Sequence, residues 1–458
     1  AEGSAAQVAD IAGDISWLFD EEEEAAALAP LNVYLALLPD HVEIVSEALE
    51  EVVEATESSV TTVQGVALDV LEQFARERPE EVISYTETIA SHLDSRHANH
   101  VRDSALTLSS IGEFEPEAVQ PYIADVIPLL TMEGEPEVVA AGCSCLAACA
   151  SQYPDEVANA TQLLVSLLDN DRVQPGVQYA AFQTLPSIAY ANPVQLSNYT
   201  SIISSHLSSD DEDLQFAAAK ILSIIAQGAP NSIVSYLDEI VKVYQSQEEE
   251  VLLIGLFRAM VPEQASAIAD YVELILELLR DPPEGADNVD PMEALLTTVA
   301  YVAGDSPAAV ADDLEIFEPY LQPSASVRRR VVALMVLGAV SQENTEAVKP
   351  YLDAVAATFE EEDPEGSYPA SDILFRVAQD DLSAVEEYES LLEDVSQEHE
   401  ETSERIENTL ALLRGEDIEK DEETDEVTLP YEKAVYEPSE SDAMFSEDEE
   451  GDEFKGDV

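Results

Sequence analysis

The amino-acid sequence predicts an all-α solenoid, in which antiparallel helix pairs stack into a right-handed superhelix. Three observations support this prediction. One apolar pattern recurs along the chain, its internal spacing is helical, and proline recurs at one position within it. Successive copies lie about 35 to 42 residues apart, a length typical of repeats that each form one helical hairpin.

The repeat pattern is clearest around Pro79. Apolar residues precede this proline at offsets of 5, 8 and 11 residues and follow it at offsets of 3, 6, 10 and 14. Each set falls on one face of a helix, so the two sets predict two consecutive helices. The upstream residues are Phe74, Leu71 and Leu68, and the downstream residues are Val82, Tyr85, Ile89 and Leu93.

The recurring proline marks the start of the second helix, because its missing N–H would be unpaired in the first turn anyway. Acidic residues that follow it, such as Glu80 and Glu81, suit the positive end of the helix dipole. A single pair cannot bury both of its apolar stripes, so stacking on neighbouring pairs is expected. The other clear copies are anchored at Pro116, Pro154, Pro193 and Pro230, the weaker ones at Pro39, Ala265, Pro307 and Thr345, and a degraded tenth at Leu382.

The repeat divides the chain into four predicted parts. Residues 1–25 form an N-terminal capping helix, and residues 26–396 form a solenoid of about nine to ten repeats. Residues 397–415 form a C-terminal capping helix that ends at Gly415. Residues 416–458 are acidic and poor in core-forming residues, so this tail is expected to be disordered.

Charge is the strongest compositional feature. The 458 residues include 97 Asp and Glu but 19 Lys and Arg, for a formal net charge of −78. Self-repulsion on this scale opposes compaction in ordinary salt and is largely screened near 1 M salt. Because the acidity is spread along the whole chain, it resembles that of proteins from extreme halophiles, in particular haloarchaea. A specialised acidic protein with a basic partner is the alternative. Nucleic acid is not expected as a partner, since its phosphates need a basic surface.

The Pro-x-x-Val-x-x-Tyr pattern after an Ala- and Leu-rich helix resembles HEAT repeats. It is most similar to the N-terminal region of clathrin adaptor and coatomer subunits, the adaptin-like type, over about three quarters of the chain. The resemblance implies a HEAT-type solenoid that binds proteins. Among HEAT proteins with enzymatic activity, deoxyhypusine hydroxylases carry several His-Glu pairs as iron ligands. This chain has one such pair, His399-Glu400, which excludes that family.

Two clusters of chemically versatile residues are interpreted as structural. Cys143 and Cys149 fall at the apolar offsets of their repeat, so they and Cys145 are expected in the core as small hydrophobic residues. His97 and His100 share a helix face near His92, but a polar loop between repeats is favoured over a metal site. No cofactor is therefore predicted.

Two places remain as candidate partner contacts. Arg328, Arg329 and Arg330 form a run in a chain where cations are scarce, and Arg matches phosphate and carboxylate geometry. Pairing between repeats with surrounding carboxylates is the favoured interpretation, and an anion or partner contact is the alternative. In the tail, Tyr431 and Tyr436 lie among acidic residues, which suits either a solubilising tail or a short segment that folds on binding.

The leading functional hypothesis is a non-enzymatic scaffold that binds protein partners, with an adaptor- or coat-like role in membrane or vesicle traffic implied by the resemblance. A small GTPase or membrane-associated partner would recruit it. The alternative is a regulatory or accessory subunit of an enzyme or assembly complex, in the class of HEAT-type lyases and chaperones.

Residues 1–10 lack a basic region and an apolar core, so no signal peptide is expected. The longest apolar runs, such as residues 331–340, are too short to span a membrane. These features favour a cytoplasmic protein, peripheral to membranes at most.

Overall fold

The computed structural model describes residues 24–38, 41–170, 172–284, 290–322, 324–360, 367–396 and 403–416. Within these ranges the chain forms α- and 3₁₀-helices joined by turns, with no β-strand. The predicted all-α class is therefore confirmed. The chain divides into two compact units, Ala1–Val243 and Tyr244–Val458. The predicted capping helix over residues 1–25 lies almost wholly outside the described residues.

The first unit consists of consecutive helix pairs in which 3₁₀ turns interrupt the second helices. Its α-helices are α1 (Glu24–Leu37), α2 (Val42–Glu47), α3 (Leu49–Thr56), α4 (Thr61–Glu77), α5 (Pro79–Val82), α6 (Thr86–Ala90), α7 (Ala98–Phe114), α8 (Pro116–Val119), α9 (Ile123–Val126), α10 (Pro136–Ala150), α11 (Pro154–Val157), α12 (Thr161–Leu168), α13 (Pro175–Ala191), α14 (Pro193–Leu196), α15 (Thr200–Ser205), α16 (Glu212–Gly228) and α17 (Leu237–Gln247), the last crossing the unit boundary. Its 3₁₀ segments are Ile83–Tyr85, Ser91–Asp94, Gln120–Tyr122, Ile127–Thr131, Ala158–Ala160, Ser197–Tyr199, His206–Ser208, Pro230–Ser232 and Val234–Tyr236.

The second unit continues the same alternation. Its α-helices are α18 (Glu250–Ala269), α19 (Val272–Arg280), α20 (Pro291–Asp305), α21 (Val327–Glu343), α22 (Thr345–Val348), α23 (Leu352–Ala357), α24 (Ser367–Asp380), α25 (Glu389–Val395) and α26 (Ser403–Leu413). Its 3₁₀ segments are Pro307–Ala309, Leu314–Tyr320, Lys349–Tyr351, Thr358–Glu360, Leu382–Ala384 and Glu386–Tyr388.

Within each unit, the first helix of a repeat packs on the first helix of the next repeat. In the first unit this stack runs from α1 to α4, α7, α10, α13 and α16, and in the second unit from α18 to α20, α21, α24 and α26. Leu68, Leu71 and Phe74 of α4 are fully buried in this stack. Stacking of this kind buries the apolar stripes that no pair could bury alone, so each unit is an α-solenoid.

The prolines take the predicted position at the start of the second helices. Pro79, Pro116, Pro154 and Pro193 each occupy the first turn of a short α-helix. Pro230 and Pro307 begin 3₁₀ turns instead, Pro230–Ser232 and Pro307–Ala309. Where Ala265 replaces proline, the preceding residue Gln264 leaves helical geometry with φ −133° and ψ 38°, so a kink inside α18 marks the start of the second helix.

The buried face of the second helices matches the predicted face at three of its four positions and differs at one. We number the repeats in chain order, so that repeat one is anchored at Pro39, repeat two at Pro79 and repeat nine at Thr345. In repeats two to nine the residues at offsets 3, 7, 10 and 14 from the anchor are buried, whereas the tyrosines expected at offset 6 are half-buried. Tyr85, Tyr122 and Tyr199 therefore border the core, with one end of each ring facing water. The residue at offset 7 is often threonine, which an apolar pattern does not count. The Oγ1 of Thr86 donates to the Ile83 carbonyl at 2.6 Å, which satisfies the buried hydroxyl.

The helix α18 is apolar over a greater length than the runs identified in the sequence. An 18-residue window within this 20-residue helix has a mean hydropathy of 1.4, enough to cross a membrane by length and composition alone. In the structure it packs on α20 and α19, and Leu253, Phe257 and Met260 are buried among them. The break at Gln264 also interrupts the helical hydrogen bonding that a span in lipid requires. These features are those of a core helix pair in the solenoid.

The helix α26 closes the described part of the second unit. Ile406 and Leu410 are buried where α26 packs on α24 and α25. Gly415 follows with φ +73°, and the N–H of Glu416 donates to the Ala411 carbonyl at 2.8 Å. A left-handed residue with this bond is a common helix stop that favours glycine. The tail predicted from residue 416 onward lies outside the described residues, apart from Glu416.

Candidate interaction surface

The arginine run at the start of α21 pairs with the preceding repeat. The guanidinium of Arg328 pairs with Glu293, and that of Arg329 pairs with Asp290. Asp290 also accepts hydrogen bonds from the N–H groups of Met292 and Glu293, so one carboxylate both caps α20 and holds the next repeat. The inter-repeat pairing that the sequence analysis favoured is thus present. Partner contact by these side chains stays a prediction.

The third arginine of the run is buried. Arg330 exposes 6% of its surface and donates from its guanidinium to the Ala325 carbonyl at 3.1 Å. This charge-assisted hydrogen bond ties the buried guanidinium to the segment that leads into α21. Arg330 is therefore the member of the run least able to reach a partner.

Other scarce cations also join residues about one repeat apart. Arg102 bonds Glu137 at 2.8 Å, and Arg280 bonds Asp313 at 2.7 Å. The ammonium of Lys349 donates to Asp381 at 2.7 Å, and this hydrogen bond lowers the pKa of Asp381 to about 2. In a chain with so few cations, their placement at the joints offsets acidic repulsion where the repeats meet.

Two buried carboxylates lie close together on the first helices of repeats two and three. Glu72 and Asp103 expose 6% and 3% of their surfaces, and burial raises the pKa of each. Each is held by a nearby arginine, Glu72 by Arg76 and Asp103 by Arg102. The repeat pattern gave no signal for them, because Glu72 lies 7 residues before its anchor and Asp103 lies 13 residues before its own, and neither is an apolar offset.

The cysteines lie where the repeat pattern placed them. Cys143, Cys145 and Cys149 are each at most 1% exposed in α10. Burial raises the pKa of Cys143 and of Cys149 to about 12, so these thiols are neutral at ordinary pH. They fill the core as small hydrophobic residues.

The histidines meet at a joint between repeats. The rings of His97 and His100 lie 5.0 Å apart, and His100 is 4% exposed. Across the ranges that the structure describes, no group of three or more His, Cys, Asp or Glu side chains is arranged to hold a metal ion.

A groove with a mixed polar and apolar lining lies between repeats two and three in the first unit. It has a volume of about 300 Å³ and lies where the first helices α4 and α7 end. Phe114, the last residue of α7, forms one wall and is 56% exposed. The lining residues are Ala75, Arg76, Pro79, Ser110, Glu113 and Phe114. The sequence pattern did not predict this groove, because Phe114 lies two residues before its anchor Pro116 and matches none of the apolar offsets. The candidate contacts Tyr431 and Tyr436 lie outside the described residues.

Comparison with known proteins agrees with this architecture. The model of the adaptin N terminal region matches residues 33–406. A search of curated protein sequences gave no significant match. The fold resembles two solved structures at low identity. One, from work on a phosphorylation switch between cadherin and β-catenin, has a TM-score of 0.51 and 13% identity over 88% of this chain and 98% of that chain.

The second structure comes from work on Kap95p binding to RanGDP. It has a TM-score of 0.52 and 12% identity over 90% of this chain. This chain spans 57% of that protein's length. At such identities the likeness shows the fold alone, and it confirms the HEAT-type α-solenoid.

The family match covers both units and most of the helix pairs described above. Together with the solenoid fold, it supports a protein-interaction scaffold. The chain belongs to the adaptin N-terminal region family.

Proposed function

We propose that this chain is a non-enzymatic scaffold with an adaptor- or coat-like role in membrane or vesicle traffic. The observation that carries the proposal is the adaptin N-terminal match over residues 33–406, on a chain that stacks its helix pairs as an α-solenoid. Solenoids of this type present extended surfaces to partners, because each repeat adds to the same surface.

The placement of reactive side chains supports binding rather than catalysis. Cys143, Cys145 and Cys149 are buried, and burial raises the pKa of Cys143 and Cys149 so that their thiols stay neutral. Arg328 and Arg329 are paired with carboxylates of the preceding repeat. Catalysis needs polar groups that converge in a pocket, whereas these groups are committed to the core and to the joints.

The proposed role includes a recruiting partner. A small GTPase or a membrane-associated protein would bring the scaffold to a membrane surface, and the chain itself would remain cytoplasmic and peripheral. The Kap95p structure comes from work on the binding of Kap95p to RanGDP. A GTPase is therefore a reasonable first class of partner to test.

We also propose that the protein works in a cell with molar internal salt. The charge of −78 supports this, since repulsion of that size needs strong screening. The pairing of scarce cations across the joints is consistent with selection against repulsion there.

The proposal is tested by affinity purification of the full chain from native lysate at high salt, combined with membrane fractionation. We expect a stable protein partner and enrichment of the chain with membranes or vesicles. A chain that purifies alone would refute the scaffold role, and one that binds a partner without membrane enrichment would refute the trafficking role.

A further inference from the structure

The groove at Phe114 combines an exposed aromatic ring with polar and apolar lining residues. Phe114 is 56% exposed, although burial of such a ring is strongly favourable. The ring faces a space of about 300 Å³, at the lower end of the range for pockets that enclose small ligands. Ala75 and Pro79 complete the apolar part of the lining. This shape suits one large apolar side chain of a partner.

The cations near the groove are already paired. The guanidinium of Arg76 pairs with Glu72, and that of Arg78 bonds Glu81 at 3.0 Å. Neither arginine is therefore available to balance a further anion without losing its present partner.

The rim of the groove is strongly acidic. The ends of α4 and α7 and the starts of α5 and α8 carry exposed carboxylates, namely Glu77, Glu80, Glu113, Glu115 and Glu117. An acidic segment would be repelled here, including the aromatic and acidic segments of this chain's own tail. A cationic segment would be attracted, and contacts within a few ångströms keep part of that attraction at high salt.

We propose that the Phe114 groove binds a partner segment in which a large apolar side chain is flanked by Lys or Arg. The apolar side chain enters the groove against Phe114 and Pro79, and the flanking cations meet the carboxylates of the rim. This inference rests on the proposed scaffold function and names the chemistry of one partner segment.

The test measures peptide binding to the full chain by fluorescence anisotropy, at the lowest KCl concentration that keeps the chain folded by circular dichroism. The probe is a labelled peptide with two lysines before and two arginines after a central Trp-Leu pair. One matched peptide replaces the four cations with Glu, and another replaces Trp-Leu with Ser-Ser. Two further proteins carry Phe114→Ala and the control Val194→Ala. Val194 is a suitable control because it is an exposed apolar residue, 60% accessible, in the first turn of α14 and outside the groove lining.

We expect Phe114→Ala to weaken binding of the cationic Trp-Leu peptide at least tenfold and Val194→Ala to change it less than twofold. The double change Glu115→Lys and Glu117→Lys should also weaken binding, whereas Glu133→Lys, in the loop between repeats three and four, should not. The inference would be overturned if the Glu peptide or the Ser-Ser peptide bound as tightly as the cationic Trp-Leu peptide. It would also be overturned if the Trp-Leu peptide did not bind, or if Phe114→Ala left its binding unchanged.

The outcome is separable from that of the scaffold proposal. If Phe114→Ala leaves peptide binding unchanged while native lysate still yields a partner, the groove inference fails and the scaffold stands. If lysate yields no partner, the scaffold proposal fails, and the peptide titration still decides the groove.

Discussion

Gly228 and Pro193 mark a close approach of two repeats in the first unit. Gly228 ends α16, the first helix of repeat six, and Pro193 begins α14, the second helix of repeat five. A Cβ atom on Gly228 would lie 3.0 Å from Cβ of Pro193 and closer still to its Cγ. Carbon atoms in good contact are about 3.5 to 4.0 Å apart. Gly228→Ala must therefore push the two repeats apart or distort the end of α16.

The expected cost follows from two opposing effects. Overpacking of a tight contact costs about 1 to 3 kcal/mol, and the rigid proline ring leaves little room for relaxation. Replacing a helical glycine with alanine gains about 0.5 to 1 kcal/mol. We therefore expect Gly228→Ala to lower the free energy of unfolding by about 1 to 2 kcal/mol. Gly176→Ala is the matched control, because a Cβ there meets no atom within 4 Å. It should be neutral or stabilising.

The assay is urea denaturation at constant high KCl, followed by far-ultraviolet circular dichroism. Hydrogen exchange should show the loss of protection at the ends of α14 and α16 in Gly228→Ala. Adding Pro193→Ala to this variant removes the Cγ atom that the new Cβ would meet, so the pair should show a favourable coupling of at least about 0.5 kcal/mol. A Gly228→Ala protein as stable as Gly176→Ala would refute the inferred packing of repeats five and six.

Three further predictions concern pH, thiols and salt. Because burial raises the pKa of Glu72 and Asp103 in the folded chain, their contribution to stability is present at acidic pH and lost as pH rises through the raised values. Acidification from about pH 7 to about pH 5 should raise the Tm, less so in Glu72→Gln, and a Tm that falls over this range would contradict the account. Burial raises the pKa of Cys143 and Cys149 to about 12, so a thiol reagent at about pH 8 should label the cysteines only as fast as the chain opens. Rapid labelling of the native chain would show that α10 is not buried as described. The Tm should rise steeply between low and about 1 M KCl, where screening becomes strong, and a flat profile would argue against a halophilic protein.

Much of the fold is readable from local chemistry. Pro79 and Pro116 locate second helices, because proline tolerates the first turn and little else of a helix. The cysteine cluster could be assigned to the core, because Cys143 and Cys149 share the offsets of Leu68 and Phe74. Both assignments depend on a pattern that repeats, so an error at one copy is corrected by the others.

The features that the sequence did not predict depend on packing between repeats. Thr86 is buried where the pattern predicted burial of its neighbour Tyr85, and its hydroxyl donates to the Ile83 carbonyl. The exposure of Phe114 and the burial of Glu72 are set by where α4 and α7 meet, which no single repeat encodes. Arg328 and Arg329 were recognised as unusual, but their carboxylate partners on the preceding repeat emerge only from the stacked structure.

The most direct test of the central claim is crosslinking mass spectrometry of the full chain in native high-salt lysate. The scaffold account predicts crosslinks between a partner protein and residues on the solenoid surface, within the range 33–406 that matches the adaptin N-terminal region. The account would be contradicted if all crosslinks joined residues of this chain and its native mass equalled that of the chain without a partner.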